Sequence, residues 1–143
     1  MYGPAVSVVA AVSAWEKVLI VVLVIHAALS IGFVALAWRD GIVERADLRY
    51  VVNTTGKDGL FAIISVVAVF DHGRRLFCVL LLMGAYACLI LGEIFELLFA
   101  HPGEVKTWPK YTEPGQYLRL WLIGDVVFIA LFGALYLLAN NAR

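Results

Sequence analysis

The chain has 143 residues, of which 63% are hydrophobic and only 15% are charged, and its mean hydropathy is +0.91. Soluble domains are about 45–50% apolar, so this composition excludes a soluble globular domain. Basic and acidic residues balance, 11 against 11, and no charged tail indicates nucleic-acid binding. We therefore predict an all-α integral membrane helical bundle of four transmembrane helices, in contact with membrane lipids and not with nucleic acid.

The first predicted span covers residues 18–37 and follows an apolar N-terminal arm, residues 1–17. Trp15 and Trp38 flank this span about 34 Å apart on a helix, which suits one indole at each membrane interface. The arm is apolar enough to need a lipid surface or another subunit to lie against. Residues 18–143 as a whole are predicted to form a single transmembrane helical domain.

The second predicted span, residues 51–70, is the least apolar of the four. Its continuous apolar run, residues 59–70, is shorter than the roughly 20 residues that a helix needs to cross a bilayer. Extension back to residue 51 brings in Lys57 and Asp58, and Lys57 can snorkel and pair with Asp58. The alternatives are a full crossing and a short or partial helix that enters halfway or lies against the others. We favour the crossing.

A short charged segment, residues 71–75, separates the second span from the third and is predicted to form a tight hairpin at the membrane surface. It contains Arg74 and Arg75, which we predict as contacts of lipid headgroups. Paired arginines are common at membrane surfaces, so the pair alone indicates no particular ligand.

The third predicted span, residues 76–100, carries small residues on one face. Gly84, Cys88 and Gly92 recur every four residues, and Glu96 continues the same row. Small residues at this spacing allow another helix to approach closely within lipid, so we predict a helix-packing stripe. The other cysteine, Cys78, is too far along the helix to form a disulfide with Cys88.

The fourth predicted span, residues 117–139, follows a proline-rich loop, residues 101–116. Ionisable residues on either side of this loop are expected at similar depth: Glu93, Glu96, Arg119 and Asp125. Three interpretations of this intramembrane polar cluster remain open. Arg119 neutralises a carboxylate in a structural network, or a desolvated carboxylate passes protons or cations, or the carboxylates pair with a basic residue of another subunit.

His26 lies in the middle of the first span, where an ionisable side chain is uncommon. A hydrogen bond that joins two helices is the favoured interpretation. Axial ligation of haem is the alternative, but His72 and His101 lie near interfaces, so no second imidazole is expected at matching depth. The E-x-x-H pattern of di-iron bundles is also missing from the sequence. We therefore predict no cofactor and no metal site.

Catalytic signatures such as G-x-S-x-G, H-E-x-x-H and the P-loop are absent from the sequence. We predict a non-catalytic accessory subunit of a multi-subunit membrane protein complex. The midspan histidine, the arginine-rich turn and the chain length resemble those of membrane anchors of respiratory dehydrogenases, although their haem-ligand spacing is not reproduced. This resemblance implies an energy-transducing inner membrane. The alternative is a small oligomeric proton- or cation-coupled transporter or channel that uses the intramembrane carboxylates.

Overall fold

The structure, a computed structural model, describes residues 12–43, 48–99 and 114–143. Four α-helices make up this part of the chain: α1, Ala14–Val43; α2, Leu48–Phe70; α3, Arg75–Phe99; and α4, Pro114–Asn141. The predicted all-α architecture is confirmed for these residues. Most of the predicted N-terminal arm, up to residue 11, and residues 101–113 of the predicted loop lie outside the described residues.

Three of these helices contain segments that are long and apolar enough to cross a membrane: Ala14–Arg39, Arg75–Phe99 and Leu120–Asn141. The second helix, α2, has 23 residues and a polar first half, in agreement with the alternative of a short or partial second span. The chain is therefore compatible with an integral membrane protein. Each helix extends at least one residue beyond one end of its predicted span, because backbone hydrogen bonding does not stop where the apolar residues stop.

The first turn of α1 is fixed by Ser13. Its Oγ accepts a hydrogen bond from the backbone N–H of Glu16 at 3.1 Å, and its backbone oxygen accepts one from Lys17 at 3.0 Å. Serine at the N-cap with glutamate three residues later is the sequence pattern of a capped helix start. Residues 14–17, predicted as the end of the arm, therefore belong to α1. Glu16 is a residue of the first helical turn.

The connection between α2 and α3 is the tight turn that the charged segment predicts. The Asp71 N–H donates to Val67 O at 2.8 Å, which continues α2 to its last turn. The Asp71 carboxylate then accepts from the Arg74 N–H at 3.2 Å and caps the start of α3. Arg75, the next residue, points toward α1 and the end of α2, where its guanidinium is bound.

Two compact units are present in the described chain. The first consists of α1, α2, the start of α3 up to Leu80, and α4 from Leu135 onward. Within it α1 and α2 are antiparallel, because Trp38 donates to Thr55 at 2.6 Å while His26 contacts Ser65 nearer the other end. Every helix contributes side chains to the buried core of this unit, with almost no or no solvent-accessible surface: Leu19, Leu23, Ala37, Ala68, Val79, Leu135 and Ala139.

The second unit, Leu81–Ala134, packs the remainder of α3 against the first part of α4. Three aromatic rings stack there. The ring centroids of Tyr86 and Phe128 are 5.7 Å apart, and those of Phe128 and Phe132 are 6.1 Å apart. Phe132 is completely buried, so this stack is the centre of the second unit.

Candidate functional site

A highly connected polar site surrounds the Glu16 side chain, and we call it the Glu16 cluster: Glu16, His72, Arg75 and Arg143. One carboxylate oxygen, Glu16 Oε1, lies 2.6 Å from Arg75 Nη1 and 2.7 Å from Arg143 Nη2. The same oxygen lies 2.8 Å from His72 Nδ1. Glu16 itself is only 1% exposed. A buried carboxylate needs such partners, because isolated burial of a charge costs several kcal/mol or more.

Arg75 uses its entire guanidinium group within the protein. Besides Glu16, its Nε donates to Ala68 O at 2.7 Å and its Nη2 donates to Val69 O at 2.9 Å. These two carbonyls belong to the last turn of α2, where helical N–H partners run out. Arg75 therefore caps α2 while it neutralises Glu16. The prediction that Arg75 contacts lipid headgroups has no direct test here, but its guanidinium is buried and engaged.

His72 completes the cluster from the turn. Its Nδ1 is 3.2 Å from Arg75 Nη1 as well as 2.8 Å from the Glu16 carboxylate. A carboxylate cannot donate a hydrogen bond, so Nδ1 must carry the proton that bonds to Glu16. Arg143 Nη2 also donates to His72 O at 3.0 Å, which joins the end of α4 to the same turn. An oxygen held by three donors is a structural acceptor and not an available general base.

A second polar site joins α1 to α2 near the middle of α1. His26 Nδ1 and Ser65 Oγ are 2.8 Å apart, and both residues are buried. The Phe61 ring lies against the imidazole with centroids 5.8 Å apart. Further buried polar residues lie on the same two helices: Ser30, Thr54 and Asp58. The sequence prediction of a histidine that hydrogen-bonds between helices agrees with this geometry.

No group of three or more His, Cys, Asp or Glu side chains is arranged to hold a metal ion among the residues described. A hydrogen bond between His26 and Ser65 joins α1 to α2.

The carboxylates of the predicted intramembrane polar cluster differ in their exposure. Asp125 is buried, Glu93 is half-buried and Glu96 is exposed. Glu93 and Asp125 take part in hydrogen-bonding or electrostatic interactions of their own. The side chain of Arg119 lies outside the described part of the structure, so the neutralising role predicted for it stays a prediction.

The predicted small-residue stripe of α3 lies on an exposed face. Gly84, Cys88, Gly92 and Glu96 are all exposed, whereas Cys78 is buried. A Cβ atom added to Gly84 or to Gly92 would meet nothing within 4 Å. The chain therefore leaves open the space that the stripe creates, since none of its described atoms fills it.

Three members of the Glu16 cluster are site residues that the sequence patterns did not indicate: Glu16, His72 and Arg143. One signal was available, because Ser13 and Glu16 form a capping pattern that draws Glu16 into the helix. A second lies in α3, where Arg75 shares a helical face with Val79 and Leu82 and so is turned inward. The approach of Arg143 to Glu16, across 127 residues, has no local signal.

Comparison of the chain with models of protein families, with curated proteins and with solved structures finds no match. The functional conclusion therefore rests on the residues and their geometry.

Proposed function

We propose that this protein is a non-catalytic accessory subunit of a multi-subunit membrane protein complex. The observation that carries the proposal is the exposed stripe of α3. In a bilayer, a row of small residues gives little packing against mobile lipid but lets a second helix approach closely. Glu96 extends the row, and a carboxylate on an exposed face of a spanning helix favours a protein partner over lipid.

The site chemistry supports a structural role. The Glu16 carboxylate is held by three donors and Arg75 has no free guanidinium nitrogen. His26 is hydrogen-bonded to Ser65 in the interior. These groups hold helices together, which suits a subunit that packs, seals and positions its neighbours. A respiratory-type energy-transducing complex is the specific form of the proposal that the sequence favours.

Four crossings are part of this proposal, and the contacts between α1 and α2 support the second one. The turn after α2 contacts Glu16, Ser65 contacts His26, and Thr55 contacts Trp38. Glu16 and Trp38 are about 33 Å apart along α1, and the hydrocarbon core is about 30 Å thick. If α1 crosses the bilayer, α2 accompanies it over the whole thickness.

The deciding experiment is the mass of the particle after gentle solubilisation from its native membrane, with identification of its components by mass spectrometry. A particle containing other proteins supports the proposal, and the identity of those proteins tests the energy-transducing form. A small particle made only of this 15.7 kDa chain overturns it. Gly92→Leu should release the chain from the particle. Gly56→Leu is the matched control, since Gly56 is an exposed helical glycine with the same open space.

The alternative function is a small oligomeric proton- or cation-coupled transporter. Burial of Asp125 within an apolar helix is the observation that favours it, since buried intramembrane carboxylates commonly bind protons or cations. Under this alternative the chain alone, reconstituted in liposomes, carries an ion flux that Asp125→Asn and Glu93→Gln abolish. Under the subunit proposal the same substitutions lower assembly or stability, and the chain alone shows no flux.

A further inference from the structure

A groove of about 610 Å³ lies at the end of α2, beside the turn that leads into α3. One wall is apolar and consists of Val66, Val67 and Phe70; the rim is formed by Asp71, His72 and Gly73. Phe70 is 85% exposed although it is a large apolar side chain. The groove thus combines an apolar wall with a polar rim, as a site for an amphipathic molecule requires.

The groove lies at the depth where lipid headgroups are found. The adjacent turn contacts Glu16 in the first turn of α1, and the neighbouring Trp15 is exposed there. Tryptophan at the end of a spanning helix marks the membrane interface. Below the groove, exposed Leu60 and Ile63 continue the apolar wall along α2 toward the bilayer interior.

Asp71 of the rim forms a solvent-accessible pair of opposite charges with Arg74, which follows the rim in the chain. Arg74 Nε is 3.7 Å from Asp71 Oδ2, and the two side chains are 76% and 42% exposed. This pair is loose, because a charge-assisted hydrogen bond brings the two atoms to about 2.7–2.9 Å. Arg75 does not contribute, since its guanidinium is buried against Glu16 and α2. The charge of this exposed pair is therefore balanced, one positive and one negative, and the adjacent Arg143 is paired with Glu16.

We propose that this groove binds a phospholipid with a zwitterionic headgroup that carries a primary ammonium, of the phosphatidylethanolamine type. Arg74 binds the phosphate, and the Asp71 carboxylate accepts hydrogen bonds from the ammonium two carbons away. One acyl chain lies on Phe70 and Ile63.

The charge pair distinguishes this headgroup from two common ones. A quaternary ammonium of the choline type has no N–H to donate, so Asp71 gains no hydrogen bond from it. Sites for anionic lipids collect several lysines and arginines, whereas the exposed pair here is neutral overall. Both headgroups are therefore expected to bind less well.

The test uses photoactivatable lipids in native membranes that contain the full chain. Ethanolamine, choline and glycerol phospholipids with the same diazirine-bearing acyl chain are added separately and irradiated. Trypsin then releases residues 58–74, which contain the whole groove, and residues 18–39 of α1, which serve as the internal reference. We expect the ethanolamine probe to label the groove peptide about threefold to fivefold more than the choline probe, as for an exposed charge contact.

Two variants and a control complete the design. Asp71→Asn should remove the preference for ethanolamine over choline and leave the fold intact, because asparagine caps a helix as well as aspartate. Arg74→Gln should lower labelling by both probes, with the groove peptide now ending at residue 75 because a tryptic site is lost. Arg39→Gln, a change of an exposed arginine at the other end of α1, should leave labelling unchanged, with the reference peptide now ending at residue 45. Equal labelling of the groove peptide by ethanolamine and choline probes overturns the proposal. A glycerol probe that labels best, or a preference that survives Asp71→Asn, overturns it too.

Discussion

Glu16 in α1 and Arg75 in α3 form a buried ion pair in which the carboxylate oxygen and the guanidinium nitrogen lie 2.6 Å apart. The two residues are 59 positions apart in the chain, so the pair joins the first turn of one helix to the first turn of another. Because Arg75 also caps α2, a single side chain connects three helices. The Arg75 side chain therefore holds together the start of α1, the end of α2 and the start of α3.

Loss of the Glu16 carboxylate is expected to destabilise the protein more than loss of any one of its partners. Glu16→Gln leaves two guanidinium groups without a counter-charge, and we expect the free energy of unfolding to fall by about 3–5 kcal/mol. Arg75→Gln leaves Arg143 and His72 on the carboxylate, so a loss of about 2–3 kcal/mol is expected. Denaturant unfolding in mixed micelles, followed by circular dichroism, measures both.

Arg74 provides the matched control for the Arg75 substitution. It is adjacent in sequence but exposed, and its contact with Asp71 is long. Arg74→Gln should change the free energy of unfolding by less than about 1 kcal/mol, as exposed ion pairs do. Equal effects of Arg74→Gln and Arg75→Gln would show that the Glu16 cluster does not stabilise the protein.

The hydrogen bond between His26 and Ser65 is expected to contribute modestly. Polar contacts between membrane helices average about 0.6 kcal/mol and reach about 1.7 kcal/mol. Ser65→Ala should therefore lower the free energy of unfolding by about 0.6–2 kcal/mol, and the effect should vanish in a His26→Leu background. A double-mutant cycle in detergent gives this coupling energy. An unchanged effect of Ser65→Ala in the His26→Leu background would contradict the assignment of the hydrogen bond.

Hydropathy predicted the three apolar helices, because a run of about 20 apolar residues needs no information from elsewhere in the chain. The turn at residues 71–75 was also predictable, since charge and glycine act locally. The two neighbouring arginines show what local composition does not predict. Arg74 and Arg75 are equivalent by composition, yet one is exposed and the other buried, because consecutive side chains of a helix point about 100° apart.

Partners distant in sequence were the least predictable part of the site. Nothing near Glu16 in the chain indicates that Arg75 and Arg143 are its partners. Asp125 and Glu93 stand out in the sequence as carboxylates in apolar segments. Their role is not decided by position alone, because burial is compatible with both packing and transport.

The aromatic stack of the second unit gives a prediction about packing. Phe132 is fully buried against Tyr86 and Phe128, whereas Phe95 is 64% exposed. In the cores of soluble proteins, Phe→Ala costs about 3–5 kcal/mol of folding free energy. Part of this cost is the lost free energy of transferring the ring from water into the core. In lipid that part is smaller, so Phe132→Ala should cost about 2–3 kcal/mol. Phe95→Ala is the control and should change the free energy of unfolding by less than about 1 kcal/mol. Similar losses for the two variants would contradict the assigned core.

Two glycines separate packing within the chain from packing against a partner. A Cβ at Gly133 would lie 3.4 Å from Met83 Cε, whereas a Cβ at Gly92 meets nothing within 4 Å. Gly133→Leu should therefore overpack the second unit and lower the free energy of unfolding by about 1–3 kcal/mol.

Gly92→Leu, in contrast, should leave the stability of the isolated chain within about 0.5 kcal/mol of the original, since the leucine enters open space. The same variant should lose its place in the native particle, because the added side chain fills the space meant for another helix. Thermal unfolding of the purified chain and the mass of the solubilised particle measure the two effects separately. If Gly92→Leu unfolds the chain itself, the stripe packs within the protein, and the exposed face no longer supports a partner subunit.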